Sequence, residues 1–154
     1  MSEFMKMAIE EAFEGIKNND GGPFGAVIVK DGVIVCRGHN QVVKTNDPTA
    51  HAEMVAIRKA SKIFGRFDLS DCEIYSSCEP CPMCFAAIHW AKIKTLYYCA
   101  TREDAANAGF DDGYIYDVIN GTAKELHVEK IQINGEESLK PFTEWKLKED
   151  RVQY

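Results

Sequence analysis

The chain contains 154 residues, of which 45% are hydrophobic and 27% are charged, and its formal net charge is −6. This composition is typical of one folded domain with a buried core and argues against a disordered chain. No apolar run approaches the roughly 18 residues that a membrane-spanning helix needs, and an acidic chain without a basic run is poorly suited to grip a nucleic-acid backbone.

The first half of the chain predicts a helix, a β-hairpin and a second helix. Apolar residues recur at helical spacing between residues 4 and 17, and the GGP sequence at 21–23 ends that helix. The strands GAVIVK and VIVCRG are joined by the DG pair at 31–32, which is a strong hairpin signal. The DPT sequence at 47–49 supplies helix-start chemistry for a segment from about 49 to 64.

The second half predicts a strand, a helix and a second strand, which are CEIYSS, Pro82 to about Ala91, and KTLYYCA. The short crossover indicates that the two strands are parallel. Residues 102–119 predict a helix in two pieces, and the alternating sequence LHVEKIQI predicts a further, edge strand. Together these elements predict an α/β fold, a three-layer α/β/α sandwich with a five-stranded mixed sheet.

Six cysteines are the unusual feature of this composition. The N-terminal sequence MSEFMKMAIEEAFEGI lacks the uninterrupted apolar stretch of a secretory signal. We therefore expect a cytoplasmic protein with reduced thiols, in which disulfides are disfavoured. Three of the thiols are spaced C-x-x-C-x-x-C, which indicates a metal site. The cysteines are residues 36, 72, 78, 81, 84 and 99.

Two motifs at predicted helix starts carry potential metal ligands, His51 and Glu53 in the first and Cys81 and Cys84 in the second. One imidazole and two thiolates suit Zn²⁺ and leave a fourth position open for a water molecule that the metal activates. His51 and Glu53 are two residues apart, so they share a site only if it lies over the helix end. We therefore predict two helix N-termini that meet at one zinc, with Glu53 as an acid/base and not as a ligand.

Each half of the pattern also has a simpler interpretation. An isolated H-x-E is common by chance, and C-x-x-C occurs in redox pairs and structural zinc sites as well. The run that includes Cys78 is also compatible with an iron–sulfur cluster, although Cys78 lies at a strand end, away from the predicted helix start. Cys36, Cys72 and Cys99 lie in apolar strand contexts, where small core residues are expected. The joint occurrence of both motifs favours a catalytic zinc.

H-A-E followed by P-C-x-x-C resembles the signature of the zinc-dependent cytidine deaminase superfamily. The segments GGPFGAVIVKDG, HNQV, NDPTAHAE, SSCEPCPMC and AGFDDG extend the likeness over essentially the whole chain, to the small bacterial guanine deaminases. This resemblance implies hydrolytic deamination of guanine to xanthine and ammonia. It also implies a homodimer of single-domain chains (residues 1–154), in which residues 138–154 are exchanged and cover the partner's active site as a lid.

The resemblance assigns roles residue by residue. It implies that zinc is bound by His51, Cys81 and Cys84, and that Glu53 carries protons during the reaction. Water activated by zinc supplies the nucleophile, and the carboxyl group supplies the proton for the departing ammonia. The chemistry therefore agrees with the assignment.

Five further residues are implicated by the resemblance in binding the substrate. Asn40 matches an amide that hydrogen-bonds the purine, Phe24 and Trp90 match aromatic walls of the base, and Asp112 and Tyr154 match residues at the guanine edge and in the C-terminal lid. Taken alone, Asn40 is also compatible with a turn residue and Asp112 with a helix N-cap. The aromatic pair alone is typical of a core, and Tyr154 of a frayed terminus.

Other substrates remain open from the sequence. A nucleoside such as guanosine or cytidine presents a similar amine, and a tRNA adenosine deaminase would use the same zinc centre. The net charge of −6 disfavours the tRNA. A non-catalytic zinc module is disfavoured by Glu53, which a structural site does not require. We therefore expect a small-molecule purine substrate, with neither a nucleic-acid nor a membrane partner.

Overall fold

The computed structural model describes residues 2–133 and 135–154 of the chain. Helices and strands alternate through the first two thirds, and the last third contains only short helices and extended segments. The elements are α1 (Glu3–Lys17), β1 (Gly25–Lys30), β2 (Val33–His39), α2 (Val42–Thr45), α3 (Ala52–Phe64), β3 (Glu73–Cys78), α4 (Pro82–Trp90), β4 (Thr95–Ala100), α5 (Arg102–Asn107), α6 (Gly113–Asn120), a 3₁₀ turn (Glu136–Leu139) and α7 (Lys140–Leu147).

The strands form a mixed sheet in the order β2-β1-β3-β4. β1 is antiparallel to both β2 and β3, whereas β3 and β4 are parallel and are connected through α4. The turn between β1 and β2 has positive φ at Asp31 (51°) and Gly32 (74°), as the predicted two-residue hairpin turn requires. The predicted hairpin and the strand–helix–strand unit are therefore both confirmed.

Two hydrophobic cores lie on opposite faces of the sheet, and β1 contributes to both. Ala26 and Ile28 are fully buried against α3 and α4, whereas Val27 and Val29 are fully buried against α1. This division follows from the two-residue period of a strand, which turns successive side chains to opposite faces. The sheet is therefore covered by helices on both faces, and the predicted three-layer α/β/α arrangement is confirmed.

The predicted fifth strand is wrong, because the sheet of the described residues has four strands. The segment LHVEKIQI (residues 126–133) does not pair with the sheet, and its apolar side chains are between 62% and 88% exposed. Alternating hydrophobicity favours a strand only where a neighbouring strand accepts its backbone hydrogen bonds. In the described residues, β4 pairs only with β3, and residues 126–133 do not extend the sheet beyond it.

The helix predicted from residue 49 begins at Ala52 instead. The Asp47 carboxylate accepts hydrogen bonds from the backbone N–H and the hydroxyl of Thr49, at 2.8 and 2.6 Å. The expected cap chemistry therefore closes a turn before the helix. Within residues 2–133 and 135–154, each helix is shorter or more polar than a membrane-spanning helix must be.

Candidate metal centre and active site

Two helix N-termini converge at the carboxyl end of β3. His51 occupies the N-cap position of α3 and Cys81 that of α4, and neither side chain makes a capping hydrogen bond to its own helix. Pro82 begins α4, where its missing N–H costs nothing. The two N-cap side chains instead face each other, with His51 Nδ1 lying 3.5 Å from Cys81 Sγ. The predicted meeting of two helix starts is therefore observed.

The donor atoms of His51, Cys81 and Cys84 form a group suited to a metal ion, since all three lie within 4.8 Å of one another. A tetrahedral zinc ion with bonds of about 2.0–2.3 Å separates such ligand atoms by about 3.6–3.8 Å. Only a small contraction is needed for these residues to hold zinc. Three protein donors leave the fourth position to water or substrate, which is the arrangement of a catalytic centre.

The neighbours of Cys81 favour its thiolate form, which is the form that binds a metal ion. A hydrogen bond from Cys84, aided by His51, lowers the pKa of Cys81 to about 4. The same contacts raise the pKa of His51 and of Cys84, with burial also acting on the Cys84 thiol. The unsatisfied N–H groups of the helix start further favour a thiolate. A cation that enters the group therefore finds the Cys81 thiolate in place and displaces the proton of the Cys84 thiol.

Glu53 lies in the first turn of α3 beside this group and is 5% exposed. The Ser76 hydroxyl on β3 donates a hydrogen bond to Glu53 Oε1 at 2.8 Å. Burial raises the pKa of Glu53 above its usual range. The carboxyl group is therefore held by a hydrogen bond from the sheet. It also binds a proton more firmly than a carboxyl group in water does.

The other cysteines lie apart from the donor group. Cys78 donates to the carbonyl oxygen of Thr101 at 3.4 Å, and burial raises the pKa of its thiol to about 11. A thiol that stays protonated is a poor metal ligand, so an iron–sulfur cluster on the C-x-x-C-x-x-C run is disfavoured. Cys36 and Cys72 pack against the core, as expected. Cys99 is exposed on β4, so its predicted core position is wrong.

A cavity of about 750 Å³ opens above the donor group and contains Glu53 in its wall. This volume lies in the usual range for small-molecule sites. Phe24 and Phe110 meet edge to face in the wall, with ring centroids 5.0 Å apart. Asn40 lines the same cavity and is 5% exposed, and its Oδ1 accepts the backbone N–H of Val42 at 3.1 Å. The predicted Phe24 and Asn40 are thus brought together with the metal group.

Asp112 also lines the cavity, at the N-cap position of α6. Its side chain makes no capping hydrogen bond, and Asp111 Oδ1 accepts the N–H of Gly113 at 2.8 Å instead. Burial, followed by the nearby Cys81 thiolate, raises the pKa of Asp112. A carboxylate that is not used for capping remains available to a ligand in the cavity.

Trp90 and Tyr154 lie outside the cavity wall of their own chain. Both side chains are 66% exposed, and their rings lie 6.0 Å apart at the end of α4. Phe67 extends this exposed aromatic group, with its ring 6.2 Å from that of Tyr154. The structure therefore groups these two predicted residues with each other, and separates them from Phe24, Asn40 and Asp112.

Several wall residues escaped the sequence interpretation. Phe110, Met83 and Arg102 line the cavity, and Ser76 contacts Glu53. Phe110 lies within the AGFDDG segment, so the resemblance contained a signal for it. Met83 lies between Cys81 and Cys84 in the sequence, but that position alone does not predict that its side chain reaches the cavity. Ser76 is identified only through its register on β3, which a single sequence does not provide.

Comparisons with known proteins agree with this geometry. The model of the cytidine and deoxycytidylate deaminase zinc-binding region matches residues 1–100. Guanine deaminase of Bacillus subtilis (strain 168) is 50% identical over 151 residues, which are 98% of this chain and 97% of that protein. The X-ray structure of guanine deaminase from Bacillus subtilis superposes with a TM-score of 0.94 at 49% identity, covering 100% of this chain and 99% of that one. A tRNA-specific adenosine deaminase of Agrobacterium fabrum (strain C58 / ATCC 33970) is 42% identical over 99 residues, 64% of each protein.

Proposed function

Because the chain belongs to the cytidine and deoxycytidylate deaminase family of zinc-binding proteins, we propose that it hydrolyses guanine to xanthine and ammonia. The observation that carries this choice of substrate is the extent of the likeness. Similarity to the guanine deaminase spans 98% of the chain and includes Asp112, whereas similarity to the tRNA-specific enzyme spans 64%. The last third of the chain therefore supports a free purine as the substrate.

The proposed reaction replaces the exocyclic amine at C2 of guanine by oxygen. His51, Cys81 and Cys84 would hold a zinc ion, which when bound would supply Lewis-acid activation of a water molecule. Glu53 would accept one proton from the attacking water and deliver it to a ring nitrogen as the oxygen bonds to C2. It would then take the second proton of that water and pass it to the amine, which leaves as ammonia when the C2–N bond breaks. The raised pKa of Glu53 supports this role, because a carboxyl that binds its proton more firmly is a more effective base near neutral pH.

The cavity wall offers groups that match the edges and faces of a purine. Asp112 is suited to accept N–H groups of the base, and Asn40 is suited to hydrogen-bond it from another side. Phe24 and Phe110 supply aromatic surface against the ring faces. The wall also exposes Arg102, whose guanidinium lies over the Tyr116 ring at 4.5 Å. These groups surround a small planar ligand without requiring a nucleic-acid backbone.

The proposal includes a homodimer, with residues 1–154 as one domain and residues 138–154 exchanged as a lid. Phe142 and Leu147 of α7 are 66% and 75% exposed in the single chain, an apolar surface that favours burial by a partner. Trp90 and Tyr154 also lie together on the surface, outside their own cavity. If they contact the base, as the resemblance implies, the contact is made to the site of a neighbouring subunit, in agreement with a lid that acts between subunits.

We further propose that the enzyme works in the cytoplasm in purine metabolism. All six cysteines are free thiols, and two of them belong to the proposed metal group. Thiol ligands of this kind persist in a reducing compartment. The substrate is a free purine base, and the products are its oxo analogue and ammonia, which places the reaction in purine salvage or nitrogen recovery.

A nucleoside is the second candidate, because a cavity of about 750 Å³ has room for a sugar in the single chain. The test is an ammonia-release assay on the zinc-loaded protein with guanine, guanosine, adenine, adenosine, cytosine and cytidine. We expect the highest kcat/KM for guanine. A higher value for guanosine or cytidine would replace guanine by a nucleoside, and activity confined to a tRNA anticodon loop would reject a free base altogether.

A further inference from the structure

Gly21 approaches the Asn40 side chain more closely than a larger residue permits. A Cβ atom at Gly21 would lie 2.1 Å from Asn40 Oδ1, 3.0 Å from its Cγ and 2.9 Å from its carbonyl oxygen. The backbone of Gly21 is outside the left-handed region, so its conformation alone does not require glycine. Residue 21 therefore has to be glycine because there is no room for a side chain beside Asn40.

The orientation of the Asn40 carboxamide is fixed by its own backbone contacts. Oδ1 accepts the N–H of Val42 at 3.1 Å, and a backbone N–H donates only to the oxygen of the amide. The amino group is then the part of the side chain that remains for a ligand in the cavity. Asn40 is 5% exposed, so it has little freedom to turn the other way.

Asp20 connects the turn that contains Gly21 to His39 and to helix α2, which lie on either side of Asn40 in the sequence. Its carboxylate accepts hydrogen bonds from His39 Nε2 at 2.7 Å and from Lys44 Nζ at 3.0 Å. Its carbonyl oxygen accepts the N–H groups of Val43 and Lys44 at 3.1 and 3.0 Å, which holds the single turn α2. Asn40 is thus held between His39 and α2, both of which are bound to Asp20.

The network continues to the first helix. Glu11 on α1 lies 3.0 Å from His39 Nδ1, so that both ring nitrogens of His39 contact carboxylates. Gly15 on the same helix packs against the ring, where an added Cβ would lie 3.1 Å from His39 Cδ2. The residue that precedes Asn40 is therefore fixed by α1 as well as by Asp20.

We propose that Asp20 and Gly21 are positioning residues that orient Asn40 as a hydrogen-bond donor toward an acceptor atom of the base. This inference rests on the proposed function for its substrate. A nitrogen or carbonyl oxygen of the ring satisfies the Asn40 amino group, whereas an N–H group at the same place leaves two donors opposed. The turn at residues 20–21 thus selects which edge of the base faces Asn40.

The test is a double-mutant cycle on the zinc-loaded full chain, with Gly21→Ala, Asn40→Ala and both together. We expect each single variant to raise KM for guanine about 10-fold, the worth of one net hydrogen bond, while kcat and zinc content change little. The double variant should bind no worse than Asn40→Ala alone. Additive losses, or a Gly21→Ala variant with unchanged KM, would overturn the proposal.

Two further variants complete the test, one as a control for the effect of a glycine substitution on folding and one for the role of Asp20. Gly135→Ala is a matched glycine control, because nothing lies within 4 Å of its added Cβ and its φ is −166°; its KM should match that of the wild type. Asp20→Asn keeps the side-chain shape and removes the charge that holds His39 and Lys44. We expect it to raise KM for guanine and to be non-additive with Asn40→Ala, and additivity would contradict the role of Asp20.

The orientation of the amide has its own test. Asn40→Asp keeps an oxygen for the Val42 N–H and removes the donor, so we expect it to raise KM as much as Asn40→Ala does. A wild-type KM in this variant would overturn the assignment of Asn40 as a donor.

Chemical unfolding separates failure of this inference from failure of the proposed function. If the Cβ atom added by Gly21→Ala collides with the Asn40 side chain, the substitution should destabilise the chain less in the Asn40→Ala background. This expectation does not depend on the substrate. If the two substitutions are non-additive in the free energy of unfolding but the wild type does not turn over guanine, the contact between residues 21 and 40 is supported and the proposed function is rejected. Guanine turnover in the wild type with no coupling, in KM or in unfolding, would reject the positioning role alone.

Discussion

Substitution of Glu53 by glutamine changes the proposed chemistry while leaving the shape of the site intact. Glu53 is 5% exposed and accepts the Ser76 hydroxyl at 2.8 Å through Oε1. Glutamine has the same length and keeps an oxygen for that hydroxyl, but it does not carry a transferable proton. We therefore expect Glu53→Gln to retain zinc and to lose turnover.

The size of the loss follows from the role of the carboxyl group. General acid–base catalysis contributes about 10²- to 10⁴-fold, which corresponds to roughly 2.7–5.4 kcal/mol of activation free energy. Glu53 serves both the attacking water and the departing amine, so we expect kcat to fall at least ~100-fold. The KM for guanine should change little, since Asn40 and Asp112 remain in the cavity wall.

The free energy of unfolding of Glu53→Gln should not fall, although its kcat does. Because burial raises the pKa of Glu53, its ionised form destabilises the folded chain at neutral pH. With zinc removed, Glu53→Gln should therefore be at least as stable as the wild type at pH 7. The advantage should fade as the pH falls below the pKa of an unfolded glutamate, about 4.3, because the wild-type carboxyl is then neutral in both states.

The assay is xanthine formation from guanine, with zinc measured by elemental analysis on the same samples. Ser76→Ala is the matched control, because it keeps the carboxyl group and removes only its anchor. Its kcat should fall by less than that of Glu53→Gln. A Glu53→Gln protein that holds one zinc per chain and turns over guanine at the wild-type rate would refute the proton-transfer role.

Three other predictions follow from the site. Cys84→Ala should abolish stoichiometric zinc binding, and a chelator should lower the melting temperature of the wild type but not that of the variant; zinc retained at one per chain would contradict the ligand set. Because burial raises the pKa of Asp112 and only its carboxylate accepts N–H groups of the base, KM for guanine should rise as the pH falls through that raised pKa, above the usual value of about 3.9. Asp112→Asn should remove this dependence in KM measured against pH. Removal of Tyr154 should lower guanine turnover without changing the unfolding midpoint, and an unchanged rate would remove the lid from the account.

Local pattern was sufficient to predict most of the elements from α1 to α6. Helix α1 was predicted over residues 4–17 and spans Glu3–Lys17, and the helical segment within residues 102–119 is divided into α5 and α6 as expected. These elements depend on spacing and on turn residues that lie within them. Helix α2 was missed because it is a single turn whose N–H groups are accepted by the distant Asp20 carbonyl.

The segment after α6 was predicted less well for a physical reason. Residues 126–133 alternate as a strand does, but the exposed side chains find no sheet partner within the described chain. Strand formation depends on a partner backbone, and a partner from a second subunit is invisible in one sequence. The same limit applies to Trp90 and Tyr154, whose proximity at 6.0 Å is a property of the fold.

The metal group was predictable because its ligands are local. Cys81 and Cys84 are one helical turn apart, and His51 occupies the corresponding place at the other helix start. Ser76 was not predictable, because it reaches Glu53 only through the register of β3. The candidate metal ligands could therefore be found from the sequence, whereas the residue that contacts the proposed catalytic carboxyl group was found only in the structure.

The most direct test of the account is product analysis of one reaction, guanine incubated with the full chain carrying one zinc per chain. The account predicts that guanine disappears with equimolar formation of xanthine and ammonia. A folded, zinc-loaded chain that leaves guanine unchanged, while the zinc remains bound to His51, Cys81 and Cys84, would contradict it.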